Sequence, residues 1–182
     1  PRAVDTDGDG LPDGVEDANR NGRREAGETS PIDRDTDGDG IADGVEDRDR
    51  DGARSSEELD PRVVDTDGEG LSDGDEDANF NGLRERFETD GVEPDTDCDG
   101  LSDADELAAT PPTSPLLADT DGDGLPDGAD VAASAAVPGS RCAPAPTLDA
   151  DPTTTTSVDA ADTDQDGLDD GVEDANGNGR VD

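Results

Sequence analysis

The chain has no histidine, methionine, tryptophan or tyrosine, and its only aromatic residues are Phe80 and Phe87. Aromatic rings supply much of the burial energy of ordinary domains, so little of that stabilisation is available here. The missing imidazole removes the commonest general base and a frequent zinc ligand, and the two cysteines do not cluster as zinc ligands do. No nucleophile stands beside a base in the sequence either. We therefore expect no enzymatic activity and no zinc site.

Positive charge and apolar residues are also scarce. The chain has 13 Lys and Arg against 53 Asp and Glu, a formal net charge of −40, and 27% hydrophobic residues. A surface this acidic does not favour nucleic acid, and no apolar run approaches the roughly 20 residues that span a bilayer. Composition alone predicts an acidic, disordered chain. The regular spacing of the acidic residues instead predicts a chain that folds around metal ions.

That spacing is the spacing of a calcium-binding loop, D-x-[DN]-x-[DN]-G-x₅-E. Such a loop places oxygen ligands at positions 1, 3, 5, 9 and 12, a backbone carbonyl at position 7, and glycine at position 6 for a sharp turn. The chain contains ten such loops, of which seven are complete and three are imperfect. Six of them, which we call the first loops, begin with Asp-Thr-Asp at Asp5, Asp35, Asp65, Asp95, Asp119 and Asp162. The first four starts are 30 residues apart, which indicates a tandem repeat.

The first loops supply most of the predicted calcium ligands. Two of them depart from the pattern, with Glu69 at position 5 and Asp130 at position 12. The predicted ligands are Asp5, Asp7, Asp9, Leu11, Asp13, Glu16; Asp35, Asp37, Asp39, Ile41, Asp43, Glu46; Asp65, Asp67, Glu69, Leu71, Asp73, Glu76; Asp95, Asp97, Asp99, Leu101, Asp103, Glu106; Asp119, Asp121, Asp123, Leu125, Asp127, Asp130; and Asp162, Asp164, Asp166, Leu168, Asp170, Glu173.

A second loop follows the first directly in repeats one, two, three and six. The predicted ligands of these second loops are Asp17, Asn19, Asn21, Arg23, Glu28; Asp47, Asp49, Asp51, Ala53, Glu58; Asp77, Asn79, Asn81, Leu83, Glu88; and Asp174, Asn176, Asn178, Arg180. The last of these loops stops before position 12. Carboxylate, amide and carbonyl oxygens suit a hard cation, and magnesium competes less well because it resists losing its waters. We expect roughly nine or ten Ca²⁺ ions, one for each loop.

The apolar residues follow the same repeat. Position 7 of every first loop is Leu or Ile, which allows small local clusters but no domain core. The next loop begins at once, so no long helix follows as it would in an EF-hand. The predicted fold is mostly irregular: an elongated, calcium-stapled rod of tandem repeats with short helical turns and little or no sheet.

The segment from Asp5 to Asp13, its five relatives and the abutting second loops resemble the thrombospondin type 3 repeat array, in the style of bacterial surface proteins. This resemblance covers most of the chain. It implies an extracellular or cell-surface location, a calcium-dependent shape and a role as a spacer, a stalk or part of a matrix. A calcium-dependent adhesion module on a cell surface is the alternative, with surface polysaccharide as its partner.

Composition divides the chain into three parts. Residues 1–130 hold tandem repeats, residues 131–161 form an Ala-, Pro- and Thr-rich insertion or linker, and residues 162–182 resume the repeat. Cys98 and Cys142 predict one disulfide that pins the insertion onto the fourth first loop, with two unpaired thiols as the alternative. Closing that loop contributes on the order of 3–4 kcal/mol in the chain-entropy model.

The two ends of the sequence match an internal junction. Val181–Asp182 followed by Pro1–Asp5 closely resembles the stretch from Leu59 to Asp65. We therefore expect the array to continue into flanking repeats or into other copies of the chain, joined head to tail.

Overall fold

The computed structural model describes residues 4–133, 135–146, 148 and 155–174. The chain divides into two compact units, Pro1–Val92 and Glu93–Asp182, which we call the N-terminal and C-terminal units. The predicted ligands Asn176, Asn178 and Arg180, and the residues that match across the two chain ends, lie outside the described residues. The predicted boundaries at residues 131 and 161 stay a prediction.

Six short helices follow one another along the described residues, one in each repeat. They are α1 (Asp13–Glu16), α2 (Asp43–Glu46), α3 (Asp73–Glu76), α4 (Asp103–Ala108), α5 (Asp127–Asp130) and α6 (Asp170–Glu173). The residues described here contain no β-strand. The expectation of an irregular repeat fold with short helical turns and little or no sheet is confirmed.

Each helix begins at position 9 of a first loop, for local reasons. The preceding residue is extended, as at Pro12 with φ −77° and ψ 139°. Acidic residues occupy the first turn, where their negative charge interacts favourably with the helix dipole. In α3 and α4 the serine before the helix accepts a hydrogen bond from the backbone N–H three residues on, a normal N-cap. Where a second loop begins directly after the helix, as at Asp17 and Asp47, it leaves room for a single turn.

The interior of each unit is built from carboxylates rather than from apolar side chains. The buried hydrophobic residues in the described part of the chain are Leu11, Ile41, Leu125, Ala129 and Val158. The fully buried side chains also include Glu16, Glu46, Glu106, Asp43, Asp73, Asp95, Asp99, Asp103, Asp127 and Asp130. Because an ionised carboxylate is costly to bury without a counter-charge, this interior requires cations to be stable at neutral pH.

Successive repeats within a unit stack through the glycine of the helical turn. The N–H of Gly44 in α2 donates a hydrogen bond of 3.1 Å to Oδ2 of Asp9 in the preceding first loop. A Cβ on Gly44 would lie 2.7 Å from the carbonyl oxygen of Asp9, closer than such atoms approach. Gly171 makes the same 3.1 Å bond to Oδ2 of Asp123 in the C-terminal unit. The stacking contact therefore requires glycine at position 10.

Candidate metal centres

The backbone of each first loop is wound around its own aspartates. In the second repeat, Asp35 accepts hydrogen bonds from the N–H groups of Gly38 at 2.7 Å and Gly40 at 3.0 Å. The N–H of Ile41 donates to Asp39 Oδ1 at 2.8 Å. Gly38 and Gly40 have φ of 89° and 107°, a region that glycine enters at low cost. The loop is thus closed by backbone bonds to both carboxylate oxygens of Asp35 and to Oδ1 of Asp39.

Position 9 has a different set of partners from the one that the loop pattern predicts. Asp43 accepts from the N–H of Thr36 at 2.7 Å and from its hydroxyl at 2.6 Å. All six first loops repeat this pair of bonds between the threonine at position 2 and the aspartate at position 9. We call it the threonine brace. Direct binding of calcium by position 9 within its own loop stays a prediction.

The structure brings several predicted ligands within reach of one ion. Carboxylate oxygens of Asp5, Asp7 and Asp9 lie within 4.8 Å of one another, as do those of Asp35, Asp37 and Asp39. In these two first loops the structure brings positions 1, 3 and 5 together, and their role as calcium ligands stays a prediction. The carbonyls at position 7 stay predicted ligands.

A further kind of cluster forms where two repeats stack. Asp9 and Glu16 of the first repeat lie within the same 4.8 Å distance of Asp43 in the second repeat, and all three side chains are buried. Asp39, Glu46 and Asp73 repeat this arrangement at the next junction. The aspartate at position 9 thus joins positions 5 and 12 of the preceding loop. Sequence reasoning, which treated each loop as a closed set, missed this shared cluster.

Buried oxygens that lack a hydrogen bond show that a cation fits these clusters. Among the described residues, both carboxylate oxygens of Glu46 are buried without a hydrogen-bond partner, and so are Glu16 Oε2, Asp95 Oδ2 and Glu106 Oε2. Buried polar atoms are normally satisfied, so oxygens left in this way at an acidic cluster match the coordination of an oxygen-seeking cation.

Burial and mutual repulsion shift the acidity of the same groups. Burial, then the charges of Asp37 and Asp39, raises the pKa of Glu46 to about 10. Burial, followed by the charges of Asp97 and Asp99, raises the pKa of Glu106 to about 9. In Glu16, burial and the charges of Asp7 and Asp9 raise the pKa to about 8. Without a metal, the folded state requires protons on these glutamates at neutral pH, and the unfolded chain does not hold them.

We predict that protons replace calcium in part when the metal is chelated. Between the usual glutamate pKa and these raised values, the folded chain holds protons that the unfolded chain has lost. Its stability therefore falls as pH rises through that window. In chelator, acidification from about pH 8 to about pH 4.5 should restore compactness and protection from hydrogen exchange, and calcium should bind more tightly as pH rises.

The control for this experiment separates protonation from weakened repulsion. About 1 M NaCl at pH 8 screens the acidic charges without protonating them, and it should not restore protection. Equal disorder in chelator at both pH values would contradict the prediction.

The second loops differ among themselves. In the loop that starts at Asp17, the amide of Asn19 donates to Glu25 at 2.8 Å and to Glu28 at 2.9 Å. The loop that starts at Asp77 has the same bonds from Asn79 to Glu85 and Glu88. Aspartates replace these asparagines in the second repeat. There, carboxylate oxygens of Asp47, Asp49 and Glu58 lie within 4.8 Å of one another.

The fourth first loop is covered by part of the insertion. Cys98 and Cys142 form a disulfide, which confirms the predicted pairing. The N–H of Arg141 donates to Glu93 at 2.9 Å, and the guanidinium Nε lies 3.3 Å from the same carboxylate. Leu148 packs over Gly100. The disulfide and these contacts hold the insertion over an acidic loop.

The imperfect fifth loop has a neighbour that the sequence did not predict. Asp130 stands at position 12, where a longer glutamate is expected, and its side chain is fully buried. Thr156 from the insertion donates its hydroxyl to the carboxylate of Asp130 and its N–H to the carbonyl oxygen at 3.1 Å. The insertion thus reaches the fifth loop as well as the fourth.

The fold and the acidic clusters define a class: a tandem-repeat protein whose loops are built to bind divalent cations. The model of the bacterial TSP3 repeat matches residues 5–19, 35–49, 95–109 and 119–132. These segments are bacterial TSP3 repeats, which confirms the resemblance to the thrombospondin type 3 repeat array. No curated protein and no solved structure matches the chain.

The family match has consequences for metal binding and location. TSP3 repeats bind calcium, so calcium is the cation that these loops are built for. Proteins with such repeats are typically extracellular. The longest helix in the described part of the chain, α4, has six residues, and none there is long and apolar enough to cross a membrane.

Proposed function

We propose that the chain is an extracellular structural spacer, stalk or fibre subunit whose shape depends on bound Ca²⁺. The observation that carries this proposal is the carboxylate interior. Each unit buries clustered acidic side chains in place of an apolar core, so calcium and the protein fold are mutually dependent.

The stacking of repeats supports a spacer role. Within each unit, a turn glycine donates a hydrogen bond to the preceding loop, and in the N-terminal unit the junction cluster combines carboxylates from both repeats. An ion bound at such a cluster ties one repeat to the next, which removes a hinge where a linker would otherwise bend. We propose flanking or neighbouring repeats of the same kind as its partners.

The proposal assigns no catalytic activity to the chain. The chain has no histidine, and buried carboxylates such as Asp9, Glu16 and Asp43 lie in clusters that suit a metal ion.

Rigidity in calcium tests the proposal. Ile32 and Phe87, both in the N-terminal unit, are 81% and 82% exposed, so Ile32→Cys and Phe87→Cys can carry spin labels with little disturbance of packing. Pulsed dipolar spectroscopy should give one narrow distance distribution at about 1 mM calcium, the concentration range that extracellular calcium modules require. The distribution should become broad in chelator. A broad distribution at saturating calcium would contradict a rigid spacer.

A further inference from the structure

The fourth first loop, which begins at Asp95, is more enclosed than the other five. Asp95 at position 1 is 0% exposed, whereas position 1 of every other first loop is exposed or half-buried. Gly100 at position 6 is buried as well, while the same glycine is exposed in four of the other first loops and half-buried in the remaining one. In this loop alone, therefore, positions 1 and 6 are both hidden from solvent.

Residues of the insertion hide them. Leu148 Cδ2 lies 3.1 Å and Pro146 Cβ 3.5 Å from the place of a Cβ on Gly100. Pro94, just before the loop, has its Cγ 3.7 Å from the place of a Cβ on Gly139. We call residues 139–142, 146 and 148 of the insertion the cover.

The cover occupies a place that a second loop fills in the N-terminal unit. There, the guanidinium of Arg50 lies 3.2 Å from the place of a Cβ on Gly10, and the ring of Phe80 lies 3.0 Å from that on Gly40. Arg50 and Phe80 both stand at position 4 of the second loop of the next repeat. The fifth repeat has no second loop, so the insertion supplies the contact to Gly100 instead.

The cover is attached to the loop by a covalent bond and by polar contacts. Cys142 in the cover is bonded to Cys98, which stands at position 4 of the loop. Next to it, the N–H of Arg141 donates to Glu93 at 2.9 Å, and its guanidinium Nε lies 3.3 Å from the same carboxylate. Because of the disulfide, the cover cannot move far from the loop while the bond is intact.

Behind the cover lie carboxylate oxygens that have no hydrogen-bond partner. They include Asp99 Oδ2 and Glu106 Oε2, on side chains that are 1% and 0% exposed. Such oxygens suit a calcium ion. Release of that ion needs water to replace the protein oxygens, and in this loop water must first pass the cover.

We propose that the cover makes the fourth first loop the slowly exchanging calcium site of the C-terminal unit, and that the Cys98–Cys142 disulfide controls this exchange. With the disulfide intact, the ion leaves only when the loop and its cover open together, which is a rarer event than the opening of one loop. The inference requires calcium in the loops but does not depend on a spacer role.

Reduction of the disulfide opens the site. A dithiol reductant becomes a disulfide itself, while Cys98 and Cys142 each gain a hydrogen and return to thiols. The cover is then held by the Arg141–Glu93 contact and by Leu148 and Pro146, which are weaker restraints than a covalent bond. Calcium should then leave the fourth loop as fast as it leaves the fifth.

Calcium release measured on the whole chain tests the proposal. The protein, loaded in about 1 mM calcium, is mixed with an excess of a fluorescent chelator. A slow phase should follow the faster ones, about tenfold or more slower, which corresponds to a barrier higher by about 1.4 kcal/mol or more. Hydrogen exchange during the same reaction locates it: the N–H of Asp99, bonded to Asp95 at 3.1 Å, should stay protected longer than that of Gly122, bonded to Asp119 at 2.7 Å.

The substitution Cys98→Gly removes the disulfide without damage to the loop. Position 4 is glycine in four other first loops, with φ from 78° to 89°, and Cys98 itself has φ 68°. Glycine therefore fits this backbone. Cys98→Gly should bind calcium at the fourth loop but lose the slow phase, as should the unmodified chain after reduction. Ala135→Ser, at an exposed residue of the insertion outside the cover, is the control and should keep the slow phase.

A second variant keeps the disulfide and weakens the cover. Leu148→Ala removes the side chain over Gly100, so release from the fourth loop should become faster although Cys98 and Cys142 stay bonded. This variant decides the matter if Cys98→Gly fails to fold in calcium. An unchanged release rate in Leu148→Ala would then contradict the proposal.

Three further results would overturn the proposal. They are a chain with an intact disulfide that releases all its calcium at one rate, a slow phase that persists in folded Cys98→Gly, and a slow phase that hydrogen exchange assigns to another loop. None of these results bears on the spin-label distances within the N-terminal unit, so failure here leaves the proposed spacer function intact.

Discussion

Chelation of calcium at neutral pH should unfold both compact units. Buried carboxylates such as Glu46, Asp43 and Asp73 have like charges around them, and the few buried apolar side chains do not offset that repulsion. Extracellular calcium modules bind at about 10⁻⁴–10⁻³ M, so about 1 mM calcium contributes on the order of 0.4–1.4 kcal/mol per site. Ten such sites, the number of loops that the sequence predicts, would together supply several kcal/mol, comparable with the roughly 5–15 kcal/mol of a whole domain.

Hydrogen exchange is the suitable measurement for this prediction. The chain has no tryptophan or tyrosine, so intrinsic fluorescence from those residues is not available. Bonds that close the loops, such as Gly38 to Asp35, should be protected in calcium and should exchange at unfolded-chain rates in chelator. Magnesium at the same concentration is the control and should restore less protection, because it keeps its waters and prefers strict octahedral geometry. Protection that survives chelation would show that calcium does not hold the fold.

Gly44→Ala should destabilise the N-terminal unit through steric overlap alone. The added methyl would lie 2.7 Å from the carbonyl oxygen of Asp9 and 2.8 Å from the backbone nitrogen of Leu11. Both are backbone atoms that cannot turn away, so the first and second repeats must separate. We expect a loss of about 1–3 kcal/mol in the free energy of unfolding, together with a higher calcium concentration at the folding midpoint.

Gly14→Ala is the matched control for Gly44→Ala. It makes the same change in a helix of the same sequence, where no described backbone lies close. It should leave the calcium concentration at the folding midpoint unchanged or lower it slightly, because alanine favours the helix by up to about 1 kcal/mol over glycine. Chemical denaturation at fixed calcium measures the free energy of unfolding of both variants. Equal denaturation midpoints for the two variants would contradict the stacking contact.

The local design of the loops could be predicted from the sequence. Acidic residues at alternate positions and glycine at position 6 are sufficient, since these bonds lie within one loop and recur with the repeat. Leu11 and Ile41 were predicted to form small clusters, and both are buried. The disulfide was predictable because Cys98 and Cys142 are the only cysteines.

The contacts between repeats could not be predicted by reading one loop at a time. Asp43 reads as a ligand of its own loop, but it bonds to Thr36 and lies beside Asp9 and Glu16 of the previous repeat. Threonine at position 2 in all six first loops was a visible signal for the brace. The partner of Asp130 depends on how the insertion folds, and no repeat in the sequence shows that.

The face that Gly44 offers to Asp9 has a consequence for how such a chain can change in evolution. Duplication of a 30-residue block within the array adds a segment with its own acidic loops. That segment already carries the turn glycine that contacts the preceding repeat and the loop aspartate that contacts the following one. No new complementarity has to arise at the insertion point. The number of repeats can therefore change in whole steps while each existing contact between repeats keeps its chemistry.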